Sequence, residues 1–372
     1  MQKAIYQSVF NNKVLFTFIL LILLLAPLFL SDFRLNLLGK FLAFAILAIG
    51  LDLLWGYTGV LSLGHGIFFG LGAYCMAMYL KLEATGGKLP DFMTWSGMQE
   101  LPLIWLPFQY PIVAIILGIL LPAAIAFLLG YLTFRNRING VYFTILSQAL
   151  VLVVVTLFIG QQNITGGTSG VTNFETFFGF HVNSSSTQTV IYLITVVVLA
   201  SVFLGCRKLV KGRLGNVLVG VRDGENRMRF LGYNPSNYKT FVYTLSGGLA
   251  GLAGMLFVLQ VGIISPTMIG IIPSIEMVLW VALGGRGTLI GPVIGAVFVN
   301  AAKTGFSESY PEYWTYFLGA LFVIVVVFLP KGLMGLVEMI QERRRKVDVK
   351  QSGIKESNIK ESSSVEVEKN YS

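Results

Sequence analysis

Apolar runs long enough to cross a bilayer recur along this chain from Val14 to Leu329. A hydrocarbon core about 30 Å thick takes about 20 apolar residues per upright helix, and every backbone polar group inside it must be satisfied within the protein. Candidate spans fall at 14–30, 37–54, 60–80, 111–132, 141–159, 190–206, 240–261, 274–284, 288–303 and 315–330. Hydrophobic residues are 55% of the sequence and charged residues 12%, too few polar groups to coat a water-soluble fold. The pattern predicts an all-α, polytopic membrane helical bundle of about 9–10 transmembrane segments.

The pair 274–284 and 288–303 is short for two upright spans, and charge decides how it is read. The net charge of +9 is explained by retention of Lys and Arg on the inner side, without nucleic acid. With an interior N-terminus and alternating spans, only Arg34, Lys40, Lys81, Lys88 and Lys303 fall outside. Residues 160–189 and 262–273, both exterior, hold no Lys or Arg. Counting 274–303 as one span would put Arg343, Arg344 and Arg345 outside. A double pass or a re-entrant element there keeps both termini cytoplasmic.

The run Val14–Leu30 follows Lys3 and Lys13, and no small-residue cleavage site succeeds it. It reads as a retained first helix, with 1–36 forming that helix and its connection. The loop 81–110, with Trp95 and Trp105, is expected to lie along the outer interface, where aromatic rings are favoured. Residues 337–372 form a basic tail with too few apolar groups to build a core. Cys75 and Cys206 lie in or beside apolar runs and suggest neither a disulfide framework nor a CxxC site.

Glycine is concentrated. One cluster includes Gly56, Gly59, Gly64 and Gly66; another runs through Gly284, Gly285, Gly287 and Gly291 to Pro292. Small residues four apart, as in Gly66/Gly70, Gly247/Gly251 and Gly291/Gly295, let helix backbones approach closely. Both clusters also interrupt apolar segments, and broken helices can present backbone groups to a polar solute. The segments 61–66 (LSLGHG) and 281–287 (VALGGRG) are faintly alike, compatible with an internal repeat.

Polar residues at membrane depth are scarce, and a charged one there should face the bundle interior, a cavity or an interface. Asp52 is read either as a pathway residue or as a brace for the Trp55–Gly59 turn. Glu276 is either a pathway residue or a helix-start anion. Ser62, Gln148 and Asn300 either line a polar route or bond a neighbouring helix. His65 has no companions for a metal site, and none is expected.

The interior stretch 207–239 carries eight Lys and Arg against Asp223 and Glu225. Leu214, Val217, Leu218 and Val221 fall at i, i+3, i+4 and i+7, an amphipathic helix. Arg222, Glu225 and Arg229 follow at i, i+3 and i+7, a spacing that lets Glu225 pair with both arginines. Such a helix can dock in a groove of a motor domain and transmit its closure. The chain shows no motor of its own: GGKL at 86–89 lacks both the spaced glycine and the Ser or Thr of a P-loop.

The segments 56–74 (GYTGVLSLGHGIFFGLGAY), 212–254 (GRLGNVLVGVRDGENRMRFLGYNPSNYKTFVYTLSGGLAGLAG), 281–297 (VALGGRGTLIGPVIGAV) and 328–336 (FLPKGLMGL) resemble the permeases of branched-chain amino acid ABC importers, collinearly over roughly 40–336. LPDFM with the aromatic outer loop (89–105), RFLGYNPSNYK (229–239), VGIISP with SIE (261–276) and NAAKTGFSESYPE (300–312) are similar to the permease subunit of the urea-importing branch. The resemblance implies an importer permease domain over 37–336, in a bacterial inner membrane, beside a second related permease, two cytoplasmic ABC ATPases and a periplasmic substrate-binding protein. ATP and Mg would be used by those ATPases, with no cofactor bound by this chain. It also implies ATPase contact through 212–232, where Gly212, Arg213, Arg222, Asp223, Glu225 and Gly232 match. Asp52 departs from the amide expected in the amino-acid branch. Rival readings are a branched-chain amino acid importer and, from another class, a proton-coupled secondary transporter or channel. No nucleophile–base pair points to an enzyme.

Overall fold

The computed structural model describes residues 13–138, 140–182, 184–309, 313–328 and 332–335. The N-terminal 1–12 and the tail 337–372 discussed above lie outside the described residues. The chain forms helices α1 (Lys13–Leu25), α2 (Asp32–Thr58), α3 (His65–Ala84), α4 (Pro111–Arg135), α5 (Val141–Gly160), α6 (Ser185–Lys211), α7 (Arg213–Phe230), α8 (Pro235–Val261), α9 (Ile271–Gly284), α10 (Ile290–Ser309) and α11 (Trp314–Phe328). Among the described residues, six helices are long and apolar enough to cross a membrane: α2, α3, α4, α5, α6 and α8. The all-α polytopic reading holds.

Local chemistry sets the helix ends. Asn234 accepts the Ser236 N–H at the start of α8, with Pro235 in the first turn, where its missing N–H is no loss. Ser184 caps α6 in the same way through the Thr187 N–H. At the other end of α2, Gly59 adopts φ +77°, a left-handed conformation that glycine takes without a Cβ clash. That stop explains why residues 60–64, assigned above to a span, are not helical.

Helices α2, α3 and α8 are mostly buried and form the centre of the bundle, while α4, α5 and α6 expose most of their apolar length. The central helices approach backbone to backbone. A Cβ at Gly72 would collide with the Gly251 carbonyl, and one at Gly254 with the Phe69 carbonyl. Gly247 and Gly251 face Ala126 and Pro122 of α4, so this helix packs with small residues on two sides.

The segment 274–303 is two helices. α9 has 14 residues and rises about 21 Å, short of the bilayer core. α10 returns against it and against α2. On the side assigned as outer, two small antiparallel pairings tie loops together: Val171–Thr172 with Ile263–Ile264, and Thr176–Phe177 with Phe180–His181. In the loop 81–110, Trp95 is exposed but Trp105 is buried and donates to the Ile164 carbonyl at 3.0 Å. Trp105 therefore packs within the protein, and only Trp95 of the two offers its ring to an interface.

Candidate solute cavity and coupling segment

A cavity of about 640 Å³ lies between α2, the end of α8, the start of α9 and the end of α10. Asn36, Lys40 and Phe44 recur every four residues and give α2 one face toward it. Its wall is aromatic: the Phe44 ring stands 4.7 Å from Trp280, 5.3 Å from Phe257 and 5.9 Å from Phe69. Lys40 Nζ lies 6.0 Å from the ring centres of both Phe44 and Phe257. Lys303 Nζ donates to both oxygens of Glu276, at 2.7 and 2.8 Å. Asn300 and Gln260 add amides to the lining. On the charge assignment above, this is the outer half of the bundle.

Eight residues beyond Phe44, about 12 Å along α2, sits Asp52, with its side chain fully buried. Its carboxylate accepts the Gly287 N–H at 2.5 Å and the Leu289 N–H at 3.0 Å. It thus holds the α9–α10 turn and does not brace the end of its own helix. Gly291 N–H is taken by the Thr288 hydroxyl at 2.8 Å. The interrupted backbone at 285–291 is consequently claimed by the protein at these groups. Gly287 adopts φ +80°, and Gly56 leaves just enough room for it, since a Cβ there would meet the Gly287 nitrogen. Arg286 stacks over Trp55 at 5.5 Å.

The interior stretch 207–239 completes α6, turns at the extended Gly212, forms α7 and turns again through Gly232 (φ +85°) into α8. Leu218 and Val221 are buried and Leu214 and Val217 half-buried, so the amphipathic face is the packed one. The expected ladder from Arg222 to Glu225 is not formed. α7 breaks at Gly224 (φ −167°, ψ 70°), which turns Glu225 away from the Arg222 side. Glu225 pairs as expected with Arg229, at 2.7 Å, and takes the buried Lys239 of α8, at 2.6 Å, in place of Arg222. Burial alone would raise the Glu225 pKa, but the hydrogen bonds and charges of Lys239 and Arg229 outweigh it and hold the carboxyl below its usual range. Arg222 pairs with Asp223 at 2.8 Å and donates through Nη1 to the Gly56 carbonyl at 2.7 Å. Gly56 is in the last turn of α2, where carbonyls lack helical partners and the dipole favours a cation. Arg213 opens α7 and is exposed.

Of the pathway candidates, Glu276 and Asn300 share the cavity wall, and Asp52 lies beyond it. Ser62, His65 and Gln148 do not line it. His65 is bonded to Ser246 at 2.7 Å, and Ser62 accepts the Gly64 N–H at 3.2 Å. Gly64 and Gly66 abut Ser147 and Ser274, and Gly284 meets Gly291 backbone to backbone. Gly285 (φ 114°) starts the turn that Pro292 closes in the first turn of α10. Lys40, Lys303, Lys239 and the aromatic wall were missed as site residues. Their only sequence signal was cationic residues in or beside apolar runs.

The model of the family described as branched-chain amino acid transport system / permease component matches residues 33–326. The high-affinity branched-chain amino acid transport system permease protein LivM of Salmonella typhimurium is 26% identical over 353 residues, covering 89% of this chain and 77% of that protein. BraD of Pseudomonas aeruginosa, of the same description, is 23% identical over 317 residues, 80% of this chain and 92% of its own. The fructose import permease protein FrcC of Rhizobium meliloti is 26% identical over 241 residues, 61% of this chain and 65% of its own. No solved structure matches the chain. The match over residues 33–326, together with the apolar helices and their packing, makes the chain a member of the branched-chain amino acid transport system permease family.

Proposed function

We propose that the chain is one of two related permease subunits of an ATP-driven importer that moves urea, or another short amide, inward across a bacterial inner membrane. The carrying observation is the cavity whose buried carboxylate, Glu276, is already neutralised by the partly exposed ammonium of Lys303. A carboxylate offers about four lone-pair sites, so Glu276 can accept N–H groups of a diamide while keeping Lys303. Flat amides also lie well against aromatic faces such as Phe44 and Trp280. A zwitterionic amino acid has to compete with that ion pair for its charges.

Urea is neutral, so its inward movement does no electrical work and membrane potential cannot concentrate it. ATP hydrolysis by two separate cytoplasmic subunits supplies the energy, with Mg and nucleotide bound there and no cofactor on this chain. A periplasmic binding protein delivers solute to the outer cavity. The ATPase grips α7, and Arg222 passes the movement to α2, which Asp52 ties to the α9–α10 turn. Both walls of the cavity are thereby joined to the motor.

A second reading is branched-chain amino acid import. It is favoured by the LivM and BraD relatives, which are branched-chain amino acid permease proteins, and by the aromatic wall, which suits a branched side chain. Reconstitution with the partner subunits separates the readings. ATP-dependent uptake of labelled urea that excess leucine leaves unchanged supports the first. Displacement by leucine supports the second, and uptake without ATP refutes both in favour of a secondary transporter or channel.

A further inference from the structure

The turn after α4 and the α7–α8 turn, at one end of the basic stretch, meet at a second cavity, of about 600 Å³, which the transport reading leaves unused. Arg135 and Arg137, from the end of α4 and the turn after it, line it together with Arg229 of α7 and Tyr233, Asn234 and Ser236 at the start of α8. It has no carboxylate among its lining residues. Glu225 is bonded to Arg229 from outside the cavity. The site is therefore cationic and shaped by three elements, not by one helix end.

What adjoins it decides the class of ligand. Leu128, Tyr131 and Arg135 fall at i, i+3 and i+7 on α4, with Phe127 one turn below Tyr131. All four are exposed. The Phe127 and Tyr131 rings are stacked at 6.0 Å, and the Arg135 guanidinium lies 5.1 Å over the Tyr131 ring. A bare apolar stripe thus runs along a membrane-length helix and ends in an aromatic ring and then a guanidinium pocket. An acyl chain fits the stripe, a glycerol backbone reaches the ring level, and a phosphate reaches the arginines, which bind phosphate oxygens in a forked geometry.

We propose that this pocket holds the phosphate-bearing headgroup of an anionic phospholipid from the inner leaflet, with its acyl chain along Phe127 and Leu128. The lipid would brace the α4 end against Arg229 and the start of α8, beside the coupling segment.

The test uses the full chain, purified in detergent, with native mass spectrometry after addition of phosphatidylglycerol, of phosphatidylcholine, or of phosphatidylglycerol with excess inorganic phosphate. The proposal expects retained phosphatidylglycerol adducts, few phosphatidylcholine adducts and no displacement by inorganic phosphate. The Arg135→Gln, Arg137→Gln double variant should lose retention on the order of tenfold, since each arginine near an anionic leaflet contributes about 1 kcal/mol. Arg135→Lys with Arg137→Lys should restore most of it, which separates lost charge from a lost fold. Equal retention by the wild type and the Gln variant overturns the proposal, as does displacement by phosphate, which assigns the pocket to a soluble anion. Loss of ATPase co-purification with lipid retention unchanged also overturns it and gives the surface to a protein partner.

Discussion

The Arg222 guanidinium donates to the carbonyl of Gly56 across 2.7 Å, joining an interior helix to the last turn of a buried membrane helix. The two residues are 166 positions apart, and this bond is a direct tie from α7 to the helix that also lines the cavity. Hydrogen bonds to charged groups contribute about 1.5–3 kcal/mol, enough to transmit a tilt and weak enough to be tested by one substitution.

Arg222→Ala should leave membrane insertion and ATPase assembly intact while raising the ATP hydrolysed per solute moved on the order of tenfold. Paired uptake and phosphate-release assays in proteoliposomes check it. Unchanged stoichiometry would remove Arg222 from the coupling route.

Asp52→Ala strands the Gly287 and Leu289 N–H groups in the protein interior. The expected loss is about 3 kcal/mol, from two buried donors left without acceptors. Asp52→Asn keeps one acceptor oxygen and should lose less. Thermal unfolding in detergent reads both, and a variant that unfolds like the wild type but transports poorly would make Asp52 a pathway residue instead.

Glu225 locks α7 to α8 through Lys239 and to its own last turn through Arg229. Because its folded pKa is lowered, the stabilisation is complete above the ordinary carboxylate value of about 4.3 and is lost only as pH falls through the lower folded value. Trypsin cleavage after Arg227 cannot be followed in strong acid, so hydrogen exchange over 213–230 is the suitable measurement. It should give the same protection factors from pH 8 to about pH 5 and faster opening below the ordinary carboxylate range. Glu225→Gln should open faster than the wild type wherever the carboxylate is ionised and should converge with it in strong acid.

Lys303→Met leaves the buried Glu276 charge without its partner and should destabilise the chain by about 2 kcal/mol, discounted because Lys303 is partly exposed. The double change Glu276→Gln with Lys303→Met should recover most of this loss, since removing both charges avoids the unpaired one. If the cavity takes a neutral amide, the double variant keeps urea uptake within about tenfold, because Gln retains an acceptor oxygen. Collapse of urea uptake in a stable double variant would show that the ion pair itself reads the solute.

Much of this protein is written locally. The amphipathic face of α7 is legible because burial follows a period of 3.6, and Leu218 and Val221 pack where that period puts them. The division of 274–303 is legible from its glycine cluster and from the charge bias around it. Arg229 as a partner of Glu225 is legible from its spacing, but the loss of Arg222 and the gain of Lys239 are not, because helical spacing assumes an unbroken helix and Gly224 breaks this one. Nor was the cavity. Its ammonium groups, Lys40 and Lys303, are 263 positions apart in sequence and share one wall only because α2 and α10 pack side by side.

The sequence by itself determined that this chain is a bundle of membrane helices, where several of them are capped, and that its interior stretch carries an amphipathic helix. Hydropathy, glycine and caps act over a few residues, so those features need no knowledge of the rest of the chain. The tertiary structure alone decided that Asp52 holds Gly287, that Arg222 reaches Gly56 and that Glu276 meets Lys303. Those pairings join different helices, and they exist only because glycine-lined crossings bring those helices close enough for a polar side chain to find its partner away from water.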